Sequence, residues 1–143
     1  MSRRTYLDSG VLLAAFRADG VLGERAMQVL DDPDRQLLVS DAVWLEVMPK
    51  ALYQGQQAEA DFYAAVFEAA QRLAWIPASL ARAAQVAAQH GIAAMDAIHI
   101  AHALDAQADE FITSEKPSKP MFRVQEGMVL TSLVAESERQ GSP

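Results

Sequence analysis

The sequence predicts an α/β protein built around a parallel β-sheet. Short apolar segments of strand character alternate along the chain with longer segments of helical periodicity, and we find no repeat and no internal linker. This alternation is typical of a parallel sheet that carries helices on both faces. The length of 143 residues suits one domain, so we expect a single domain over 1–143 whose core needs no covalent cross-links.

The strands are predicted where a short apolar run is bounded by polar or turn-forming residues. The run "QLLVS" has this pattern, because "DDPD" precedes it and Asp41 follows it. The tail from Glu136 onward is expected to fray. We expect strands at 5–7, 36–40, 74–77, 110–113 and 128–133.

The helices are predicted from apolar residues that recur at spacings of three and four. We expect Ser9 and Ser79 to cap the helices that follow them, and Gly91 to end a helix in the left-handed conformation. Pro49 lacks a backbone N–H, so we expect a kink or break near Met48. The helical segments are 11–17, 24–31, 42–54, 57–73, 80–90 and 96–107.

The composition restricts the class of protein. The chain has no cysteine, which excludes disulfides, zinc–thiolate sites and cysteine nucleophiles and fits a cytoplasmic location. It has no signal-peptide pattern and no apolar stretch long enough for a membrane span, so we expect a soluble protein. The net charge of −7 argues against a protein that coats DNA without specificity, but it allows an enzyme whose acids surround a metal ion.

Four acids occupy places from which a fold can bring them together. Asp8 and Glu115 follow predicted strands, Asp96 opens a predicted helix, and Glu46 lies on the helix after the second strand. In an open parallel sheet, ligands bind at the carboxyl ends of the strands, near a switch in strand order. Each acid alone also has an ordinary role, since Asp8 and Asp96 favour helix N-termini and Glu46 suits a solvated surface.

A cluster of these carboxylates would need cations. Two carboxylates about 4 Å apart repel by roughly 4 kcal/mol at an effective dielectric constant near 20. Magnesium takes oxygen ligands, keeps several waters and often binds a substrate phosphate, whereas zinc prefers histidine or cysteine. The four acids together therefore indicate a magnesium or manganese site for phosphate chemistry.

Three segments carry the most specific pattern in the sequence: "TYLDSGVLLAAF", "SDAVWLEV" and "MDAIHIAHALDAQADEFITSEK". In this order they resemble the PIN domain of VapC-type toxins, over about the whole chain. The resemblance implies a PIN-like three-layer α/β/α fold with a central parallel sheet. It also implies the activity of a Mg²⁺- or Mn²⁺-dependent endoribonuclease.

The resemblance assigns roles residue by residue. Asp8, Glu46 and Asp96 match the catalytic acids of the family, and Glu115 stands where the family usually has aspartate. Metal held by Asp8 and Asp96, with support from Glu46, is expected to activate water for attack on an RNA phosphodiester. The small hydroxyl residues that flank the site in the family are matched by Ser9 and Thr113.

Toxins of this type usually pair with a small antitoxin that inserts a segment into the cleft, and they often form homodimers, so we expect both partners. A basic strip of Lys116, Lys119 and Arg123 follows the last acid; it is either a solvated loop or a set of contacts for RNA phosphates. His99 shares a helical face with Asp96, and we expect it to pack as a structural residue under the edge of the sheet.

Two other functions stay open at this point. One is a PIN-fold module that binds RNA or protein without cutting, because Glu115 departs from the family pattern. The other is a phosphatase of the HAD type, which also has an aspartate after its first strand. That chemistry needs a second acid two residues later, where this chain has Gly10, so the phosphatase is the weaker alternative.

Overall fold

The computed structural model describes residues 2–134 and contains a five-stranded sheet whose strands all run parallel. The frayed tail expected from Glu136 lies outside the described residues. A short 3₁₀ turn, Pro120–Arg123, precedes the last strand. In chain order, the strands and helices are β1 (Arg3–Leu7), α1 (Ser9–Arg17), α2 (Gly20–Asp31), β2 (Arg35–Ser40), α3 (Asp41–Tyr53), α4 (Gln57–Ala69), β3 (Gln71–Leu73), α5 (Pro77–His90), α6 (Ala94–Asp105), β4 (Glu110–Thr113) and β5 (Val129–Ser132).

The strands lie in the order β3-β2-β1-β4-β5, with the first strand at the centre of the sheet. From β1 the chain steps outward to β2 and β3, and it then returns to the other side of β1 to add β4 and β5. Parallel crossovers are right-handed, so the two directions place their helices on opposite faces. This confirms the expected three-layer α/β/α fold with a central parallel sheet, and it puts the switch point between β1 and β4.

The sheet is buried mainly toward the carboxyl ends of its strands. In β1 the exposed Arg3 gives way to Tyr6 and Leu7, which are completely buried, and in β2 the fully buried residues are Leu38, Val39 and Ser40. Helices supply the remaining apolar surface, which removes water from this end of the sheet. Side chains at the carboxyl ends therefore lie at the boundary between the core and the solvent.

The third strand lies earlier in the chain than predicted. It is Gln71–Leu73, which pairs with β2, so the strand expected at 74–77 is wrong and α4 is shorter than expected. The cause is Asp41, whose carboxylate accepts the backbone N–H of Trp75 at 3.0 Å. That N–H is no longer available to a neighbouring strand, and the chain leaves the sheet there.

The two predicted serine N-caps are wrong, and α2 and α6 also begin earlier than predicted, at Gly20 and Ala94. Helix α5 begins at Pro77, because a proline needs no hydrogen bond in the first turn and its fixed φ suits a helix start. Ser79 is therefore inside that turn and does not cap it. At α1 the N-cap is Asp8, whereas Ser9 is the first helical residue. Both Asp and Ser are good caps, and their order along the chain does not distinguish them.

Pro49 does not break α3, which runs continuously through it, so the break expected near Met48 is wrong. A proline frees the carbonyl four residues earlier, here that of Leu45. Leu45 is 59% exposed, and water can satisfy the freed carbonyl. Within residues 2–134, no helix is long and apolar enough to cross a membrane.

Candidate active site

Asp8 lies at the carboxyl end of β1, beside the switch point. Its Oδ1 accepts the backbone N–H of Gly10 at 3.1 Å, which is the N-cap bond of α1. Its Oδ2 accepts the hydroxyl of Thr113 at 2.6 Å, and this bond joins the ends of β1 and β4. The Thr113 oxygen in turn accepts the N–H of Glu115 at 3.0 Å, which leaves its proton for Asp8. Both carboxylate oxygens are thus oriented, and each keeps a lone pair for another partner.

Burial dominates the electrostatics of Asp8. The residue is 7% exposed, and burial raises the pKa of its carboxyl to about 6, with a further increase from the charge of Glu115. The Thr113 hydrogen bond and the charge of His99 act in the opposite direction. Among residues 2–134, no lysine or arginine forms an ion pair with Asp8. Its negative charge is therefore poorly compensated by the protein.

Asp96 lies in the first turn of α6, and the negative charge of its carboxylate is also poorly compensated by neighbouring positive charges. Burial raises the pKa of its carboxyl, and the charges of Glu115 and Glu46 raise it further. The charges of His99 and Lys119 lower the pKa without reversing the shift. The electrostatic coupling means that the fold brings Asp96 near both glutamates. We call Asp8, Glu46, Asp96 and Glu115 the acidic cluster.

Glu46 reaches the acidic cluster from α3 and has a defined partner. Its Oε1 lies 2.6 Å from Nε2 of His99, and its side chain is 32% exposed. Burial would raise the pKa of Glu46, but hydrogen bonds from His99 and Ser9 and the charge of His99 lower it overall. Glu46 is therefore the acid of the cluster that is stabilised in its ionised form.

Glu115 is the most accessible acid of the cluster. Its side chain is 49% exposed, and its carboxylate lies 3.8 Å from the ammonium group of Lys119, four residues later in the loop. Its backbone is fixed, because its carbonyl accepts the hydroxyl of Ser132 at 2.6 Å and its N–H binds Thr113. The backbone position is thus determined while the long side chain stays adjustable.

Lys116, Lys119 and Arg123, predicted from the sequence as a basic strip, do not all lie at the acidic cluster. Lys119 lies beside the acidic cluster, as its contact with Glu115 shows. Arg123 instead donates through Nη1 to the carbonyls of His90 and Gly91, at 2.9 and 3.2 Å, and so caps the end of α5. Lys116 is exposed on the same loop, three residues before Lys119.

Sequence reasoning missed two residues that lie behind the acidic cluster, Tyr6 and Ser40, which connect to it through His99. His99 is buried, as expected, but it also binds Glu46, and its Nδ1 lies 2.8 Å from the hydroxyl of Tyr6. That hydroxyl lies 2.7 Å from Oγ of Ser40. Tyr6 and Ser40 belong to strands and look like core residues in the sequence. Only the tertiary structure shows their connection to the site, because Tyr6 is 93 residues from His99 and 34 residues from Ser40 in the sequence.

The acidic cluster suits a hard divalent cation by its chemistry. Within residues 2–134, no group of three or more acidic or histidine side chains is arranged to hold a metal ion as the side chains stand. Magnesium does not require such a cage, since it is usually bound by one or two carboxylates, waters and substrate phosphates. The carboxyl groups of Asp8 and Asp96 have raised pKa values, and a bound cation would stabilise their ionised forms. The donor set therefore fits Mg²⁺ or Mn²⁺.

The fold and this arrangement of acids define an α/β protein with carboxylates near a topological switch point. The sequence matches the model of the PIN domain family over residues 5–116, a range that contains all four acids of the cluster. The chain therefore belongs to the PIN domain family. A search of curated proteins finds no significant match.

Solved structures of similar fold include several toxin–antitoxin complexes. A toxin-antitoxin complex from Klebsiella pneumoniae matches with a TM-score of 0.71 at 19% identity, over 90% of this chain and 97% of that one. VapBC from Salmonella typhimurium, bound to DNA, matches with a TM-score of 0.68 at 13% identity, over 93% and 99%. VapBC2 from Rickettsia felis, bound to a promoter DNA fragment, matches with a TM-score of 0.67 at 11% identity, over 90% and 98%. At these identities the likeness establishes the fold.

Proposed function

We propose that this protein is a Mg²⁺- or Mn²⁺-dependent endoribonuclease that acts as the toxin of a toxin–antitoxin pair. The observation that carries the proposal is the pair of poorly compensated carboxylates, Asp8 and Asp96, at the switch point of a PIN domain. Uncompensated acids in this position suit a site where a cation and an anionic substrate meet.

Asp8 and Asp96 are the residues that would hold the metal, with Glu46 in support. When bound, such a cation supplies Lewis-acid activation of water and offsets the negative charge of a phosphate. Thr113 and the N–H of Gly10 fix the Asp8 carboxylate, so that its free lone pairs have a constant direction. A ligand that is already oriented loses little entropy when a cation and a substrate arrive.

The remaining residues of the site orient water and the RNA strand. Glu46 is stabilised as a carboxylate and can accept a hydrogen bond from a water beside the phosphodiester. Glu115 is exposed and adjustable, and in this account it acts on the metal through water. Lys119 and Lys116 contact phosphates next to the cleaved bond, since both lie on the exposed loop that follows Thr113.

The partners follow from the same proposal. We propose that a small antitoxin blocks the acidic cluster and that two copies of the chain, each a single PIN domain, form a homodimer in the cytoplasm. A groove of about 250 Å³ between α1 and α2 supports the antitoxin part. It is bordered by Gly10, Arg17 and Ser114, so it begins next to Asp8 and can receive an inserted segment. The similarity in fold to chains in toxin–antitoxin complexes supports the same assignment.

The phosphatase alternative is less compatible with the site. It needs a second acid at position 10, and a Cβ at that position would lie 2.0 Å from Oγ of Ser114. An acid at position 10 would therefore require the Ser114 side chain to move.

The test is cleavage of a structured RNA by the purified protein with Mg²⁺, with Mn²⁺ and with a chelator, beside hydrolysis of a simple phosphate monoester. We expect internal cuts in RNA with either metal, none with the chelator, and no monoester hydrolysis. RNA binding without cutting in any metal would favour the binding module, and monoester hydrolysis alone would favour the phosphatase.

A further inference from the structure

We propose that Tyr6 and His99 are positioning residues that hold the Glu46 carboxylate at the active site through a continuous chain of hydrogen bonds beginning at Ser40. The inference rests on the proposed function, because it gives Glu46 a role beside the metal. It adds residues that neither the sequence motifs nor the family match assigns.

The chain has three links of good length and lies almost entirely inside the protein. Oγ of Ser40 lies 2.7 Å from the hydroxyl of Tyr6, which lies 2.8 Å from Nδ1 of His99, and Nε2 of His99 lies 2.6 Å from Glu46. Tyr6 and Ser40 are 0% exposed and His99 is 3% exposed. Only the last member, Glu46, reaches solvent, with 32% of its side chain exposed. The chain thus runs from the core to the acidic cluster.

The direction of the protons follows from the donors available. An ionised Glu46 can only accept, so Nε2 of His99 carries a proton and donates it. When the imidazole is neutral, its other nitrogen, Nδ1, must then accept, and the hydroxyl of Tyr6 is the donor beside it; a protonated ring would reverse only this bond and the next one. The oxygen of Tyr6 is left to accept from Ser40, whose own oxygen already accepts the N–H of Val43 at 3.3 Å. Every link has one donor and one acceptor.

This order makes Tyr6 a residue that holds the ring of His99 in place, because Glu46 sets the proton on Nε2 and the Tyr6 hydroxyl binds Nδ1 on the other side of the ring. Without that hydroxyl, Nδ1 loses its donor, and the ring can shift or flip so that Nε2 no longer points at Glu46. The carboxylate would then lose its fixed donor and leave its position. Groups that support a metal site from behind in this way typically change metal affinity or activity by about 10–100-fold when removed.

The position of α3 depends on the same chain. Ser40 caps the N-terminus of α3, and Glu46 lies on that helix less than two turns later. The ring of Tyr6 is fixed independently, since it stacks on Phe111 with centroids 5.2 Å apart. The hydroxyl therefore keeps its place relative to β4 while it binds residues from β2 and α6.

The test compares Tyr6→Phe with Thr5→Val. Both changes remove one buried hydroxyl from β1 and keep the volume of the side chain nearly constant. Thr5 is 0% exposed, and its hydroxyl donates to Glu110 at 2.8 Å, away from the chain that leads to Glu46. Thr5→Val therefore reports what the loss of a buried hydrogen bond does to the fold alone.

Two measurements on the variants separate positioning from stability. In calorimetric titration with Mn²⁺ alone, we expect Tyr6→Phe to weaken binding about tenfold or more and Thr5→Val to change it less than about twofold. In RNA cleavage, we expect Tyr6→Phe to lower kcat by about 10–100-fold with KM within about threefold. If Tyr6→Phe behaves like Thr5→Val in both measurements, the positioning role is wrong.

A third measurement uses the unchanged protein. Proton–nitrogen correlation spectra of the histidine rings should show His99 with its proton on Nε2, and Tyr6→Phe should shift the Nδ1 signal, because that nitrogen loses its hydrogen-bond donor. A wild-type ring without a proton on Nε2 would overturn the chain. If the wild type cuts no RNA, the proposed function fails, but the spectra and the Mn²⁺ titration still decide whether Tyr6 and His99 position Glu46.

Discussion

Thr113 donates a hydrogen bond of 2.6 Å to the carboxylate of Asp8, from a position 105 residues away in the sequence. The bond crosses from β4 to β1 at the point where the strand order reverses. A hydrogen bond to a charged acceptor is about twice as strong as a neutral one, so this bond is a strong link between the two strands when Asp8 is ionised.

Replacing Thr113 by Val should weaken both the fold and the site. The change leaves Asp8 without its hydroxyl donor and removes the acceptor of the Glu115 N–H, so we expect a loss of about 1–3 kcal/mol in the free energy of unfolding. Denaturant unfolding measures this loss. Thr131→Val is the control, since Thr131 lies exposed on β5 and should change stability by less than about 0.5 kcal/mol. Equal effects at the two positions would show that the Thr113 bond has no special weight.

The metal-free protein should become less stable as the pH rises from about 4 to 6. The pKa of Asp8 is raised from 3.8 to about 6, so the native state holds its proton more tightly than the unfolded chain does. That contribution is complete below the unfolded pKa, is lost as the pH rises through the native pKa, and amounts to roughly 3 kcal/mol. Asp8→Asn should remove this pH dependence, and near pH 7 it should be as stable as the wild type or up to about 2 kcal/mol more stable.

Unfolding curves in a chelator between pH 4 and 7 provide the measurement for Asp8→Asn. Asparagine caps a helix about as well as aspartate, so this change keeps the N-cap of α1. Strong destabilisation of the metal-free variant at pH 7 would mean that the negative charge of Asp8 stabilises the fold, which would contradict the poor compensation of that charge.

Changes at Glu115 should be tolerated better than changes at the aspartates. Its side chain is half exposed and adjustable, so Glu115→Asp should keep or improve cleavage, and Glu115→Gln should cost much less than Asp8→Asn. RNA affinity should survive Glu115→Gln and can rise, because one repulsive charge near the phosphates is gone. Cleavage and binding should be measured on the same RNA. A loss as large as that of Asp8→Asn would make Glu115 a direct ligand.

Neutralising Lys119 should weaken RNA binding in a way that depends on salt. Lys119→Gln removes one phosphate contact, so the slope of log affinity against log salt should fall by about 0.7–0.9. Arg82→Gln is a matched control, because Arg82 is also exposed and also pairs with one acid, Asp105 at 3.3 Å, but lies on α5. Identical slopes for both variants would mean that Lys119 does not contact RNA phosphates.

The parts of the fold that depend on local pattern were predictable. The alternation of strands and helices predicted the parallel sheet, and the placement of Asp8 and Asp96 after a strand and at a helix start predicted where they would lie. The limits of β3 were not predictable, because they depend on the capture of the Trp75 N–H by Asp41, across 34 residues. A side chain that competes for a backbone N–H leaves no periodic signal.

The support behind the site was not predictable for a related reason. Tyr6 and Ser40 have the apolar and small-polar character of ordinary strand residues, and His99 lies on a largely buried helix. Their polar atoms meet only when β1, β2, α3 and α6 are packed together. The sequence indicates which acids can reach the edge of the sheet, but the hydrogen bonds that orient them need the tertiary structure.

The central claim is that Asp96 and Asp8 are required for metal-dependent RNA cleavage. Single-turnover cleavage of one RNA, with Mg²⁺ or Mn²⁺, should be compared for the wild type, Asp96→Asn and Asp105→Asn. Asp105 is the matched control, because it is an aspartate at the opposite end of the same helix and pairs with Arg82 at the surface. We expect Asp96→Asn to lower the rate by at least about 100-fold, since it removes a metal ligand, and Asp105→Asn to leave it within about twofold. Equal cleavage by the wild type and Asp96→Asn would contradict the claim that the acidic cluster carries out RNA cleavage.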